Sequence, residues 1–250
     1  MKLLIDAGNT RIKWALSDSL RNNIVKRGVF ESSFDGVESD AVDSVWVSSV
    51  ASESVLQELN AHVSTKFSLE SNVVKVTPEL AGMINRYEDL PRLGVDRWVA
   101  ALGARSIYPQ GSLIVVDAGT AVTIDLISSV NDFEGGVILP GFVSMHDALL
   151  GRTAGVKSER HSVNSVLGRN TQDCVNAGVQ YGLIGAIDRV VSEMISLSGE
   201  RTHNSNNGSL DNCRVLLMGG DADVILAATS LEVELQSDMI FNGLMLISNL

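Results

Sequence analysis

The chain has 250 residues, 45% of them hydrophobic and 20% charged, with a formal net charge of −11 and a pI near 4.7. This length can bury a substantial core as one large domain or two lobes, and the apolar content excludes a disordered chain. The acidity argues against a general nucleic-acid binder, which needs a basic surface to displace counterions, but a few local cations and backbone N–H groups can still hold an anionic substrate.

From the N-terminus, Lys2 to Ile5 is an apolar run of strand length, and Arg11 to Ser17 alternates, with Ile12, Trp14 and Leu16 on one face and Arg11, Lys13 and Ala15 on the other. Asn22 to Phe30 supplies a third strand, Glu31 to Ala41 reads as loop, and Val42 to Ser48 as another strand. Ser52 to Lys66 predicts a helix with Val55, Leu56, Leu59 and Val63 on one side, followed by a short strand over Val73 to Val76. After Pro91, Asp96 is placed to cap a helix running to about Tyr108, where Pro109-Gln110-Gly111 breaks it.

LIVVDAGTAVTIDLI, Leu113 to Ile127, then repeats the plan of the opening LLIDAGNTRIKWAL: apolar strand, Asp-Ala-Gly, Thr, alternating strand. GGVILPG (135–141) leads to a helix over Phe142 to Leu150, and Gly151 to Gly168 is irregular. Thr171 opens a long helix reaching about Leu197, and Gly199 to Asn212 reads as a polar loop, tolerant of insertion, that contains His203. Cys213 to Ile225 is strand, double glycine and helix start, and a helix over about Asp238 to Asn249 closes the chain. This is an α/β protein of two lobes, 1–111 and 112–250, each beginning with a strand–turn–strand unit, with the final helix a candidate to pack on the first lobe. The two cysteines form neither a CxxC motif nor a disulfide framework, and no apolar run reaches the roughly 20 residues of a membrane helix. A cytoplasmic protein with no membrane partner is expected.

Three strand-to-turn junctions carry the chemistry: Asp6-Ala7-Gly8-Asn9-Thr10, Asp117-Ala118-Gly119-Thr120 and Met218-Gly219-Gly220-Asp221-Ala222. Glycine lets backbone approach a ligand, successive N–H groups form an anion-binding concavity, and a strand-end Asp holds a cation or its water beside phosphates. A single such turn is most simply a turn former satisfying its own backbone, but the duplication and the third junction mark a phosphate site. Asp96, in GVDR (94–97), is either a helix cap or an acceptor for the proton of an attacking hydroxyl. The four histidines are scattered, without the spacing of a metal cluster or triad.

DAGNTRIK (6–13), GVDR (94–97), VVDAGTAVTIDL (115–126), GGVILPG (135–141), Asn170-Thr171 and MGGDA (218–222) together resemble the type III pantothenate kinases, a family of the actin, heat-shock ATPase and sugar kinase superfamily. The resemblance implies two duplicated actin-like, ribonuclease H-like lobes facing a nucleotide cleft, and ATP-dependent phosphorylation of pantothenate. It implies that Asp6, Ala7, Gly8, Asn9, Thr10, Arg11, Ile12, Lys13 and Thr120 bind ATP, with Asp6 reaching Mg²⁺ through water. Asp117 matches the position of a monovalent-cation ligand, for K⁺ or NH₄⁺. Asp96 matches the catalytic Asp, and Tyr87, Gly94, Val95, Asp96, Arg97 and Thr171 match the pantothenate site, with Arg97 a fork for the substrate carboxylate. Tyr87 reads equally as a packing aromatic, Thr171 as a helix cap, and Lys13 as a solvated strand residue. The resemblance also implies a homodimer. Two other readings remain: a non-catalytic nucleotide-binding accessory protein of the same family, and a kinase for another small hydroxylated acceptor.

Overall fold

The computed structural model describes residues 1–18, 21, 23–203 and 213–250, and for 200–203 the backbone alone. In chain order its main elements are β1 (Lys2–Ala7), β2 (Ile12–Asp18), β3 (Asn23–Phe30), β4 (Ser44–Ser49), α1 (Glu53–Phe67), β5 (Ser71–Val73), β6 (Glu79–Leu80), β7 (Met83–Asn85) and α2 (Val95–Ile107). There follow β8 (Leu113–Ala118), β9 (Ala121–Ile127), β10 (Asp132–Pro140), α3 (Phe142–Gly151), α4 (Thr171–His203), β11 (Arg214–Met218), α5 (Ala222–Leu226), β12 (Glu234–Leu235) and α6 (Met239–Ile247).

The chain forms two compact units. The first comprises Met1–Gln110, Asn131–Phe133 and Asp238–Leu250; the second comprises Gly111–Val130 and Glu134–Ser237. In the first unit the sheet order is β3-β2-β1-β4-β5, with β1 antiparallel to β2 and parallel to β4. In the second it is β10-β9-β8-β11-β12, with β8 antiparallel to β9 and parallel to β11. The repeat visible in the sequence is therefore a repeat of sheet topology.

Period-2 alternation sends Leu3, Ile5, Trp14, Leu16, Val45 and Val47 to one face of the first sheet, where they pack with Leu59, Val63 and Phe67 of α1. Ala15 and Leu4, on the opposite face, are fully buried as well. α6 packs against β1 and β4 and also against α2, so this sheet is covered on its second face as well. The α2–α6 crossing is close: a Cβ on Gly103 would lie 1.9 Å from the Met239 carbonyl oxygen, and one on Gly243 would lie 2.0 Å from that of Val99. Lys2 Nζ ties the start of β1 to the end of α6, donating to the Ser248 carbonyl at 2.6 Å and to Asn249 Oδ1 at 2.5 Å. In the second unit, Ile114, Val116, Val122, Ile124 and Leu217 pack with Leu183, Ile187, Val191 and Met194 of α4.

Helix α4 runs through His203, further than the expected end near Leu197, so His203 belongs to a helix and not to a loop. Gly199 is tolerated inside it at a cost of about 1 kcal/mol relative to Ala. The rest of the expected insertion-tolerant loop, 204–212, lies outside the described residues.

Candidate active site

In the first unit, Asp6 stands opposite Lys13 in the β1–β2 ladder, and the turn between them is Gly8-Asn9-Thr10-Arg11. The Gly8 N–H donates to the Arg11 carbonyl at 3.1 Å, closing that turn. Asn9, Thr10, Arg11 and Lys13 are exposed and Asp6 half-buried, whereas Ala7 is fully buried and can meet a ligand only through its backbone. Ile12 packs its side chain against the Trp14 cluster.

The GVDR segment forms the first turn of α2. Gly94 is the N-cap and Asp96 the second helical residue, so Asp96 is not the cap that the sequence suggests. Its Oδ1 instead accepts from the Arg97 N–H at 2.8 Å. A Cβ on residue 94 would lie 2.5 Å from that Oδ1, so the glycine makes room for the folded-back carboxylate. Burial pushes the Asp96 carboxyl above its ordinary value; the backbone N–H and the charge of Arg97 pull the other way without cancelling it. Arg97 is itself buried, and its guanidinium lies 5.7 Å from the centre of the Tyr87 ring. Val95 is buried, leaving only its backbone for a ligand.

The structure thus brings Tyr87, Gly94, Asp96 and Arg97 into one neighbourhood, and residues not singled out from sequence hold it. The Tyr87 N–H donates to Asn85 Oδ1 at 3.1 Å, Asn85 Nδ2 donates to the Thr77 carbonyl, and Arg86 pairs with Asp132 at 2.8 Å. Trp98 stacks edge-to-face on Phe133 with centroids 5.8 Å apart.

In the second unit, Asp117 pairs with Thr123 in the β8–β9 ladder, and the connecting turn is only Gly119-Thr120, closed by Gly119 N–H to the Ala121 carbonyl at 3.0 Å. The third junction presses on this turn: Gly219, at φ +101°, leaves no space for a Cβ, which would lie 2.2 Å from the Ala118 carbonyl oxygen. Gly141 is equally close, with a built Cβ 2.1 Å from the Gly119 carbonyl oxygen. Thr171 is exposed at the first position of α4 and does not cap it. Asn170 does: its Oδ1 accepts from the Asp173 N–H at 2.9 Å, while its Nδ2 donates to Asp173 Oδ2 at 2.8 Å and so fixes the side chain. Among the described residues no three His, Cys, Asp or Glu side chains cluster as a metal cage.

Two α/β units of the same sheet topology, each opening on a phosphate-type turn, with a third glycine junction inside the second, have the duplicated actin-like ATPase and sugar-kinase fold. The sequence model of the family described as type III pantothenate kinase matches residues 2–193. A type III pantothenate kinase of Teredinibacter turnerae is 32% identical over 256 residues, covering 100% of this chain and 99% of that protein. One from Burkholderia multivorans is 32% identical over 262 residues, covering 98% and 95%. A solved structure from Campylobacter jejuni, described as a Baf family transcriptional activator, superposes with a TM-score of 0.58 at 18% identity over 99% of this chain and 98% of that one, a likeness of fold. The chain belongs to the type III pantothenate kinase family.

Proposed function

We propose that the protein transfers the γ-phosphoryl group of ATP to the primary hydroxyl of pantothenate, giving 4'-phosphopantothenate, the first step toward coenzyme A. The observation that carries this reading is the Asp96 carboxylate, folded against Gly94 beside the buried Arg97 and Tyr87. A carboxyl with a raised pKa is a better base than an ordinary Asp, and it needs only to orient a hydroxyl whose proton leaves late in a loose transition state. Asp96 accepts that proton; Arg97 forks the acceptor carboxylate, Tyr87 lies along it, and Thr171 contributes a hydroxyl. Asp6 through Lys13 and Thr120 hold the phosphates with backbone N–H groups, hydroxyls and the Lys13 ammonium.

Single strand-end carboxylates fit a Mg²⁺ that keeps most of its waters and is shared with phosphates, and do not fit an all-protein cage. Asp6 would hold Mg²⁺ through water and Asp117 a K⁺ or NH₄⁺ ion, and such cations neutralise charge on the phosphates when bound. A homodimer is supported by α4, whose exposed Gly178 and Gly185 have open space where a Cβ would stand, next to exposed Tyr181. A cytoplasmic location agrees with two free cysteines and with the absence, among the described residues, of a helix long and apolar enough to cross a membrane. The test is ADP release by purified protein with and without pantothenate, in potassium and in sodium. Release that requires pantothenate and is faster in potassium is expected; release indifferent to pantothenate would end the reading.

A further inference from the structure

Lys13, Asp6 and Ser48 are ladder partners across three adjacent strands of the first unit, β2, β1 and β4. Ladder partners project to the same side of a sheet, so an ammonium, a carboxylate and a hydroxyl stand in one row beside the first phosphate turn. The first two have roles in the reading above, and the third has none. Ser48 is fully buried, and its hydroxyl has no hydrogen-bond partner. A hydroxyl in that state has given up its bonds to water without replacing them, which calls for a reason.

Among the described residues of the first unit, four buried serine hydroxyls are unpartnered: those of Ser17, Ser48, Ser49 and Ser71. Ser17 pairs with Lys2 at the far end of β1, Ser71 pairs with Val45, and Ser49 pairs with Ala7 on the opposite face of the sheet. Of the four, Ser48 is the one in register with a carboxylate.

The backbone around Ser48 is held on both edges of β4. The Val50 N–H donates to the Ala7 carbonyl at 3.1 Å, carrying the pairing with β1 past the end of β4, and the Val74 N–H donates to the Val47 carbonyl at 2.9 Å on the other side. Only the side chain can turn. Neighbouring strands lie about 4.8 Å apart, so rotation of the two side chains is enough to bring the Ser48 hydroxyl onto an Asp6 oxygen. Carboxylates that hold a metal or its waters are themselves held by such bonds, which fix the direction in which the outward oxygen points.

We propose that Ser48 is a positioning residue for Asp6, its hydroxyl donating to the Asp6 carboxylate when that carboxylate holds the water shell of a nucleotide-bound Mg²⁺. The proposal rests on the ATP and Mg²⁺ reading above. It is tested by calorimetric binding of ADP, in MgCl₂ and in EDTA, to the full-length protein and its Ser48→Ala, Ser48→Cys, Ser49→Ala and Asp6→Asn variants, and to the protein carrying both Ser48→Ala and Asp6→Asn. Ser48→Ala is expected to weaken ADP about tenfold in Mg²⁺, as the loss of one hydrogen bond to a charged group does, and to leave binding in EDTA unchanged. Cysteine keeps the volume but donates weakly, so Ser48→Cys loses nearly as much and serves even if the alanine variant does not fold. Ser49→Ala, on the opposite face, changes neither measurement. In the Asp6→Asn background Ser48→Ala adds nothing, because it acts only through that carboxylate. No loss in Mg²⁺, equal losses in Mg²⁺ and EDTA, or a full further loss in the Asp6→Asn background would overturn the proposal and leave the ATP reading in place. ADP binding by the unaltered protein that is indifferent to Mg²⁺ would overturn the proposal together with the Mg²⁺ assignment. Failure of the unaltered protein to bind ADP at all would overturn the ATP reading as well.

Discussion

The two strand–turn–strand units share a topology but not a packing environment. In the first, the turn has four residues, three of them exposed, and a Cβ on Gly8 would meet only the Arg11 carbonyl oxygen of its own turn at 3.2 Å. In the second, the turn has two residues, and Gly141 and Gly219 bring backbone from elsewhere in the chain against it at distances no Cβ could share. Duplication preserved the ladder, whereas the surroundings made one turn adaptable and the other fixed. The base proposed above, Asp96, lies outside both turns.

The largest effect that tests this division comes from Asp96→Asn, expected to cut turnover by about 10³-fold with the circular dichroism spectrum unchanged. Asp6→Asn and Asp117→Asn should act mainly on the KM for ATP, by about 10–100-fold, as lost charged contacts do. A turnover loss in either turn variant as deep as that of Asp96→Asn would move the chemistry into the turn.

Next in size is the contrast in rigidity. Gly219→Ala, which needs a left-handed backbone and space already filled by Ala118, should cost about 3 kcal/mol in urea unfolding, and Gly8→Ala less than about 1 kcal/mol. Equal costs would mean that the packing difference has no energetic weight.

The smallest effect is on pH dependence. Because burial raises the Asp96 pKa, the folded state holds a proton that the unfolded chain releases near pH 3.9. Stability then falls as pH rises from about that value through the raised folded value. Asp96→Asn should remove this slope and melt no lower than the unaltered protein at pH 7, as followed by thermal scans from pH 4 to 7. The acid limb of kcat/KM should lie above the ordinary carboxylate range.

The hairpins were legible because their signals are local: alternation sets the faces, and Asp-Ala-Gly sets the turn. Helix starts were less so. Gly94 caps α2 without a side-chain bond, and Asn170 rather than Thr171 caps α4, its side chain held by the Asp173 N–H and carboxylate. The irregularity of the segment up to Gly168 was legible, but what holds it was not, since its backbone partners include side chains of Asn176 and Gln180, which no periodicity announces. The burial of Ala15 has a related origin: α6, which covers the first sheet, is more than two hundred residues away along the chain.

That last helix has a consequence for biosynthesis. α6 lies C-terminal to the whole second unit, yet it packs on β1, β4 and α2, with Gly103 and Gly243 at the crossing and Lys2 bonded to its end. On a ribosome, the second unit has every one of its residues before the first unit receives its last layer. Helix α2, whose first turn carries Asp96, is therefore without its α6 packing partner until the whole second unit has been synthesised.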